Sequence, residues 1–347
     1  MLFLHLSHTD LDGYACQLVS AHYLKKLSFY NSNYGREIDE KFEMILREID
    51  ISKAKNPDEK AVIFVSDLNF TPTQCDDFSR AVRERDGVKL ILLDHHASGE
   101  ISAREHFWYY LDDTRCATKI CYEFFSGIFG EDKKLENFVN AVNAVDIWLE
   151  NDEYFEFGKV CLGAIANAKE INKVLFNDEN MEYLFYLMRS FMDFSERANA
   201  HIELDNALHS IKKSFFKSKD DDTLSNLISA YLVKLLSKNK EKMSIKYRGH
   251  LGLLSSNIGN VSVVANDFLH ANPEYKFYID VTSKKTLSFR SSGDFDVSKM
   301  ASELVGGGGH KNASGGFFAA FKDSFDYEKI KEQIVGLINE KTGENNA

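Results

Sequence analysis

The stretch that decides the fold of this chain is LILLDHHAS, residues 90–98. Its four apolar residues, Leu90 to Leu93, are typical of a buried strand. Asp94, His95 and His96 follow directly, and these side chains are costly to remove from water unless they are paired or bound to an ion. The stretch therefore predicts a strand whose carboxyl end delivers ligands to a metal site.

The same alternation of apolar run and amphipathic segment recurs through residues 1–125. MLFLHL is followed by GYACQLVSAHYLKKL, AVIFV by PTQCDDFSRAVRER, and KLILL, after a loop, by ATKICYEFFSGIF. Short strands that alternate with helical patterns are typical of βαβ units. We therefore expect an α/β fold with a largely parallel N-terminal sheet that carries helices on both faces.

The rest of the chain predicts two further regions. Residues 134–240 have a mostly helical pattern, and strands return from about residue 245, in HLGLLSS, KFYIDVTS and KTLSFRSS, with helices at VSVVANDFLHA and VSKMASELV. This pattern predicts a helical connector over residues 196–244 and a smaller C-terminal mixed α/β domain over residues 245–340. The central helices are expected to form a homodimer interface, a spacer between the domains, or both.

The composition excludes some classes of protein. The 347 residues are 44% hydrophobic and carry a formal net charge of -11, whereas a protein that coats long nucleic acid needs an excess of Lys and Arg. The segment MLFLHLSHTDLDG has no basic leader, and polar residues interrupt its apolar run, so we expect no membrane anchor. The five cysteines include no CxxC pair, which favours a reducing cytoplasm.

Polar side chains follow all three predicted strands of the first region. The strands end in HTDLDG, SDLN and DHH, and a further aspartate interrupts the apolar helical segment NAVDIWL. The carboxyl ends of parallel strands open onto one crevice, where so many carboxylates need positive charge between them. Because the set contains imidazoles and carboxylates without a thiolate, it favours Mn²⁺ or Mg²⁺. The polar residues concerned are His8, Asp10, Asp12, Asp67, Asp94, His95, His96 and Asp146.

Each of these pieces also has an ordinary structural interpretation. DLDG alone is typical of a turn. Asp67 alone would cap the helix that follows it, and Asp146 alone would pair with a nearby Lys or Arg. A single metal site explains all of the pieces, in their order at the strand ends, with fewer coincidences.

The C-terminal region contains a second polar constellation, in SFRSS and GGGGHKNASGG. Arg290 offers a planar fork of donors that matches phosphate oxygens. Glycines 307–309 let backbone N–H groups approach an anion, and His310 adds a donor; a flexible linker is the alternative for this run. Asn257, in SSNIGN, either contacts a base or ribose or forms an ordinary turn. The candidate substrate-binding residues are Arg290, Gly307, Gly308, Gly309, His310 and Asn257.

The motifs together resemble those of a known family. HTDLDG, SDLN, DHH and AVD resemble, in this order, the four N-terminal motifs of the DHH phosphoesterase superfamily. SFRSSGDFDVSKMASELVGGGGHKNASGG is similar to the C-terminal domain of its DHHA1 branch. The resemblance implies a metal-binding catalytic domain over residues 1–195 and a substrate-binding domain over residues 245–340. It also implies two divalent cations, with Mn²⁺ expected and Mg²⁺ as the alternative.

The resemblance also implies roles for the candidate ligands. Asp67 would bridge the two ions, Asp10 with His8 would hold one of them, and the remaining ligands would hold the other. His8 departs from the spacing of many relatives, because one residue rather than three separates it from Asp10. A histidine hydrogen-bonded at the sheet edge is therefore the alternative for His8. The implied metal ligands are His8, Asp10, Asp12, Asp67, His95 and Asp146.

The implied catalytic residues are His96, Asp94 and His310. Asp94 would orient the histidine pair, and His96 would face the phosphate as a donor.

The implied reaction is hydrolysis of short oligonucleotides to mononucleotides, as in the oligoribonucleases (nanoRNases) of this family. The alternatives are a 3′-phosphoadenosine 5′-phosphate phosphatase, a cyclic or linear dinucleotide phosphodiesterase, a RecJ-type single-strand DNA exonuclease and, from another class, a non-catalytic nucleotide-binding sensor. The expected partners are short RNA or DNA oligonucleotides or dinucleotides.

Overall fold

Two compact units make up the computed structural model, which describes residues 1–219 and 221–344. The first unit comprises Met1–Ala168 and Leu184–Leu208, and the second comprises Lys169–Tyr183 and the chain from His209 onward. The two units thus interleave along the sequence. Among the described residues, no helix is both long and apolar enough to cross a membrane.

A five-stranded sheet forms the centre of the first unit. Its strands are β1 (Leu2–Ser7), β2 (Leu27–Asn31), β3 (Ala61–Ser66), β4 (Val88–Asp94) and β5 (Tyr109–Leu111). The helices up to residue 216 are α1 (Leu11–Tyr23), α2 (Arg36–Lys55), α3 (Pro72–Arg83), α4 (Glu100–Glu105), α5 (Ala117–Phe129), α6 (Lys133–Asp146), α7 (Phe155–Ala166), α8 (Asn177–Met192) and α9 (Ala200–Phe216). The strand order is β2-β1-β3-β4-β5, and every pair is parallel.

Helices cover both faces of this sheet, and each face has its own core. On one face, Phe42 of α2 and Phe78 of α3 pack with Leu6 and Leu92 of the sheet. On the other face, helices α1 and α5 pack against Phe64, and their contributions include Val19 and Ile120. The expected α/β fold with a parallel first sheet is therefore confirmed. The sequence patterns did not predict β2 and β5, which lie at the two edges of the sheet.

The second unit contains a six-stranded mixed sheet in the order β10-β11-β9-β8-β7-β6. Among the described strands of this sheet, only β7 and β8 pair in parallel. Its strands are β6 (Ser244–Tyr247), β7 (His250–Ser256), β8 (Phe277–Val281), β9 (Thr286–Ser291), β10 (Gly308–His310) and β11 (Ala313–Phe317). Its further helices are α10 (Leu224–Met243), α11 (Val261–Ala271), α12 (Val297–Val305) and α13 (Tyr327–Thr342). A mixed sheet with helices confirms the fold class expected for this part of the chain.

The run of four glycines is an ordered part of the second unit. Gly306 has a φ of +63° and ends helix α12 in the left-handed conformation, which glycine adopts without a steric penalty. The next residues pair with β11 as the edge strand β10. Gly309 has a φ of +149°, and a Cβ atom there would lie 2.6 Å from the carbonyl oxygen of Ala313. The run is thus a helix end followed by a strand, and it is not a linker.

Candidate metal centre

The carboxyl ends of the parallel strands bring the candidate ligands of the first unit together. The strand order reverses between β1 and β3, and such a switch point is where open α/β sheets bind ligands. The loop after β1 supplies His8 and Asp10, and the start of α1 supplies Asp12. Asp67 follows β3, while Asp94 ends β4. The remaining candidates are His95 and His96, which follow β4, and Asp146, which is the last residue of α6.

Asp67 lies at the middle of this cluster. Its φ of +55° is left-handed, a conformation that short polar side chains tolerate better than most. The side chain is almost fully buried, and its Oδ1 lies 3.4 Å from His95 Nε2 while its Oδ2 lies 3.8 Å from His8 Nδ1. Oδ2 accepts no hydrogen bond within the described part of the chain. The two carboxylate oxygens therefore face two different histidines, and the bridging role of Asp67 stays a prediction.

His95 connects Asp67 to a second group of carboxylates. Its Nε2 lies 3.7 Å from Asp12 Oδ2 and 3.6 Å from Asp146 Oδ2. The buried Asp12 also accepts hydrogen bonds from the backbone N–H groups of Ala117, at 2.9 Å, and Thr118, at 2.8 Å. These N–H groups belong to the first turn of α5, whose positive dipole end stabilises a carboxylate.

His8 and Asp10 form the other side of the cluster. His8 Nδ1 lies 2.8 Å from Asp10 Oδ2, and Asp10 Oδ1 caps α1 by accepting from the Gly13 N–H at 3.0 Å. Gly13 permits this arrangement, because a Cβ atom there would lie 2.4 Å from the carbonyl oxygen of His8. The structure thus places His8 beside the other candidate ligands, despite its unusual spacing in the sequence.

The electrostatics of the cluster favour bound cations. Burial, and then the charges of Asp12 and Asp10, raise the pKa of Asp67 well above its ordinary value. The same causes raise the pKa of Asp146 to about 8. For Asp10, burial opposes ionisation, but the hydrogen bond and the charge of His8 outweigh burial and lower the pKa. Opposite charge near a carboxylate favours its ionised form.

The residues present fit divalent cations. Possible ligand atoms of His8, Asp10 and Asp67 lie within 4.8 Å of one another, as do those of Asp67, His95 and His96. Carboxylate oxygen and imidazole nitrogen are suitable donors for Mn²⁺ or Mg²⁺. The buried Oδ2 of Asp67, which has no hydrogen-bond donor among the described residues, is a natural ligand atom. The identity of the ion stays a prediction.

The other two residues of the DHH stretch form a hydrogen-bonded chain. His96 Nδ1 lies 2.7 Å from Asp94 Oδ1, and Asp94 Oδ2 accepts a hydrogen bond from the Tyr109 hydroxyl at 2.8 Å. Burial disfavours the charged form of His96, but the hydrogen bond and the charge of Asp94 outweigh burial and raise the pKa of His96. Asp94 therefore holds the His96 ring by this hydrogen bond, and its supporting role in catalysis stays a prediction.

Two residues of the cluster were not identified from the sequence. The Tyr34 hydroxyl lies 2.9 Å from His96 Nε2. The Cys116 thiol lies within 4.8 Å of ligand atoms of Asp12 and Asp146, and burial together with these carboxylates raises its pKa. The signal for Tyr34 is weak, because the polar loop SNYG follows LSFYN, a segment without the continuous apolar run of a central strand. Nothing in the spacing of Cys116 distinguishes it from a core cysteine.

Two of the substrate-binding candidates lie in one row of the second sheet. Arg290 of β9 is opposite Ala313 of β11, and Ala313 is opposite His310 of β10. Directly opposite residues point to the same face, so Arg290 and His310 share a face. Because β11 lies between their strands, the two backbones are roughly 10 Å apart. Arg290 Nη2 donates to Ser262 Oγ at 3.0 Å, at the start of α11. Gly307, Gly308 and Gly309 lie beside this row.

Asn257 serves the local turn after β7. It has a φ of +48°, and its Oδ1 accepts a hydrogen bond from the Ser283 N–H at 2.9 Å. Its Nδ2 donates to Ser256 Oγ at 3.2 Å. Its side chain is therefore engaged within the unit, as the turn interpretation requires, and a contact to base or ribose stays a prediction.

Comparisons with known proteins identify similar chains. Residues 3–144 match the family model described as DHH family, N-terminal domain. A 3′,5′-cyclic-nucleotide phosphodiesterase from Helicobacter pylori is 40% identical over 345 residues, which cover 96% of this chain and 98% of that protein. The crystal structure of an uncharacterized protein from Helicobacter pylori G27 is also 40% identical, with a TM-score of 0.90, and the match covers 98% of this chain and 99% of that one.

Proposed function

The chain belongs to the DHH family and is a hydrolase of phosphoester bonds, and on this premise we propose that it is a two-metal-dependent phosphodiesterase for small nucleotides. The observation that carries the proposal is the convergence on Asp67. Its two oxygens face His8 on one side and His95 on the other. Each histidine is accompanied by further carboxylates, so the chain provides two adjoining ligand groups around one shared residue.

The chemistry follows from this arrangement. Two divalent ions, when bound, lower the pKa of a water molecule and neutralise charge that develops on the phosphate. His8 and Asp10 would hold one ion, Asp67 would be shared, and the other ligands would be Asp12, His95 and Asp146. His96, held by Asp94, presents Nε2 as a donor to a non-bridging phosphate oxygen. Such a donor accelerates hydrolysis when its hydrogen bond strengthens as charge develops.

A 3′,5′-cyclic nucleotide is the first candidate substrate. This proposal is supported by the 40% identity, over almost the whole chain, to a protein named as a 3′,5′-cyclic-nucleotide phosphodiesterase. Hydrolysis of one of the two ester bonds would open the ring and leave a nucleoside monophosphate. The net charge of -11 also favours a small substrate over a long one.

Short RNA oligonucleotides, expected from the sequence, are the second candidate. They contain the same 3′,5′-phosphodiester bond. The observation that favours them is the row of Arg290 and His310 on one face of the second sheet, beside the exposed strand Gly308–His310. Such a surface would bind a further phosphate or ribose of a longer substrate. Arg290 would bind phosphate through paired N–H donors.

One experiment separates these candidates. Purified protein with Mn²⁺ is incubated with 3′,5′-cyclic AMP, labelled short RNA and DNA oligonucleotides, 3′-phosphoadenosine 5′-phosphate and cyclic di-AMP, and the products are resolved by chromatography. We expect the highest kcat/KM for the cyclic mononucleotide. Turnover of oligonucleotides alone would favour the second candidate. Binding without turnover of any diester, including p-nitrophenyl thymidine monophosphate, would contradict the proposal and favour a nucleotide sensor. Asp67→Ala is the matched inactive control.

A further inference from the structure

Tyr34 contacts the site from a strand that carries none of the predicted ligands. It lies in the loop between β2 and α2, and β2 is the neighbour of β1 in the parallel sheet. Its ring centroid lies 4.8 Å from that of His8 and 5.6 Å from that of His96. Its hydroxyl lies 2.9 Å from His96 Nε2, and 44% of the residue is exposed. Tyr34 therefore forms a solvent-facing wall of the site.

The loop that carries Tyr34 is fastened to the loop after β1. The Ser32 N–H donates to the carbonyl oxygen of Ser7 at 3.0 Å, and Asn31 Nδ2 donates to the carbonyl oxygen of His8 at 3.1 Å. The Thr9 hydroxyl donates to Asn33 Oδ1 at 2.8 Å. The three residues directly before Tyr34 make these hydrogen bonds, so the backbone of Tyr34 is held against the segment that supplies His8 and Asp10.

Both nitrogens of the His96 ring make hydrogen bonds. Nδ1 is paired with Asp94 and Nε2 with Tyr34. A single hydrogen bond at Nδ1 would still let the ring swing about that contact, whereas two bonds at opposite ends fix its plane. A tyrosine hydroxyl suits this purpose because it can donate or accept, and so it matches either protonation state of the imidazole.

We propose that Tyr34 is a positioning residue: in the free enzyme its hydroxyl holds the ring of His96 with Nε2 turned into the site, and a phosphate oxygen takes the place of the hydroxyl at Nε2 when substrate binds. The inference rests on the proposed function, since it assigns His96 a role in diester hydrolysis. Tyr34→Phe removes the hydroxyl and keeps the ring. Tyr110→Phe is the matched control, because Tyr110 is 47% exposed and its hydroxyl donates to Asp112 at 3.3 Å, away from the cluster.

The test combines kinetics with a measurement on the metal-free protein. For Tyr34→Phe we expect kcat to fall about threefold to tenfold on both 3′,5′-cyclic AMP and bis(p-nitrophenyl) phosphate, as for loss of one positioning hydrogen bond, with KM and metal content unchanged. The ¹⁵N signal of His96 Nε2 should shift in EDTA-treated Tyr34→Phe protein. Tyr110→Phe should change neither quantity.

The possible outcomes separate this inference from the proposed function. If the wild-type protein hydrolyses neither these two diesters nor short oligonucleotides, the proposed function is wrong, and the role of Tyr34 in it is wrong as well. If the wild-type protein is active and Tyr34→Phe retains its kcat, only the role of Tyr34 is overturned, whether or not the Nε2 signal shifts. A rise in KM alone, with kcat unchanged, would also overturn it, because that result indicates uniform substrate binding.

Discussion

Asp146→Asn should make the metal-free protein less sensitive to alkaline pH. Asp146 ends helix α6, where the helix dipole disfavours a negative charge. Among the described residues its carboxylate accepts no hydrogen bond, and His95 Nε2 lies 3.6 Å away, beyond hydrogen-bond distance. Burial, followed by the charges of Asp12 and Asp10, raises its pKa from 3.8 to about 8. Asparagine keeps the size of the side chain and removes the charge.

The magnitude follows from the linkage between proton binding and stability. A carboxyl group whose pKa is raised by folding destabilises the folded state wherever the unfolded chain would ionise it. The free energy of unfolding is therefore unaffected by Asp146 below about pH 4, and it declines as the pH rises to about 8. At about 1.36 kcal/mol for each pKa unit, and with a discount for solvent screening because Asp146 is exposed, Asp146 should lower the free energy of unfolding by roughly 1–2 kcal/mol between about pH 5 and pH 9. Asp146→Asn should not show this part of the decline.

Urea unfolding in EDTA, followed by tryptophan fluorescence, provides the assay. Trp108 and Trp148, the two tryptophans of the chain, both lie in the first unit, so the signal reports on the unit that contains the site. Asp58→Asn, at an exposed position outside the cluster, is the control. Added Mn²⁺ should stabilise the wild-type protein more than Asp146→Asn. An identical pH dependence of the two proteins in EDTA would refute the reasoning.

Three further predictions test other parts of the site. Asp67→Ala should abolish diester hydrolysis and reduce bound metal, measured by elemental analysis, from two ions toward one or none; full activity with two ions would contradict the bridging role. Gly13→Ala should destabilise the first unit and weaken metal binding, because its Cβ atom would lie 2.4 Å from the His8 carbonyl oxygen, whereas Gly163→Ala, with open space around it, should not. Arg290→Ala should raise KM for an oligonucleotide about tenfold to hundredfold with unchanged metal content, since hydrogen bonds to charged groups contribute about 1.5–3 kcal/mol; an unchanged KM would remove Arg290 from the substrate surface.

The part of the fold that positions the site could be predicted because strong local signals and topology agree. Buried parallel strands are continuous apolar runs, and β1, β3 and β4 all have this pattern. Once three such strands are parallel and neighbouring, the residues at their carboxyl ends must share one edge. The cluster around Asp67 follows from that rule, although its distances do not.

The missed elements have weaker local signals. Strand β2 is only half-buried at the sheet edge, and β5 has three residues, so neither shows the apolar run that identifies a central strand. The mostly helical pattern of residues 134–240 did not reveal the division into α8 and α9, because the polar stretch DFSERAN between them is compatible with an exposed helical turn. Tyr34 was missed together with β2. Cys116 reaches the cluster through tertiary packing of α5, which periodicity does not reveal.

The carboxylates of the site differ in how the protein compensates their charge. Asp10 is paired with His8 and caps α1, and Asp12 accepts two N–H groups at the start of α5. Asp94 is paired with His96 and also accepts from a tyrosine hydroxyl. Asp67 and Asp146 have no comparable donors among the described residues. Cations bound at the cluster would therefore relieve charge repulsion chiefly at Asp67 and Asp146, the two carboxylates that the protein alone compensates least. Neutral substitutions at either position should weaken metal binding more than a neutral substitution of Asp94, whose charge the protein already balances.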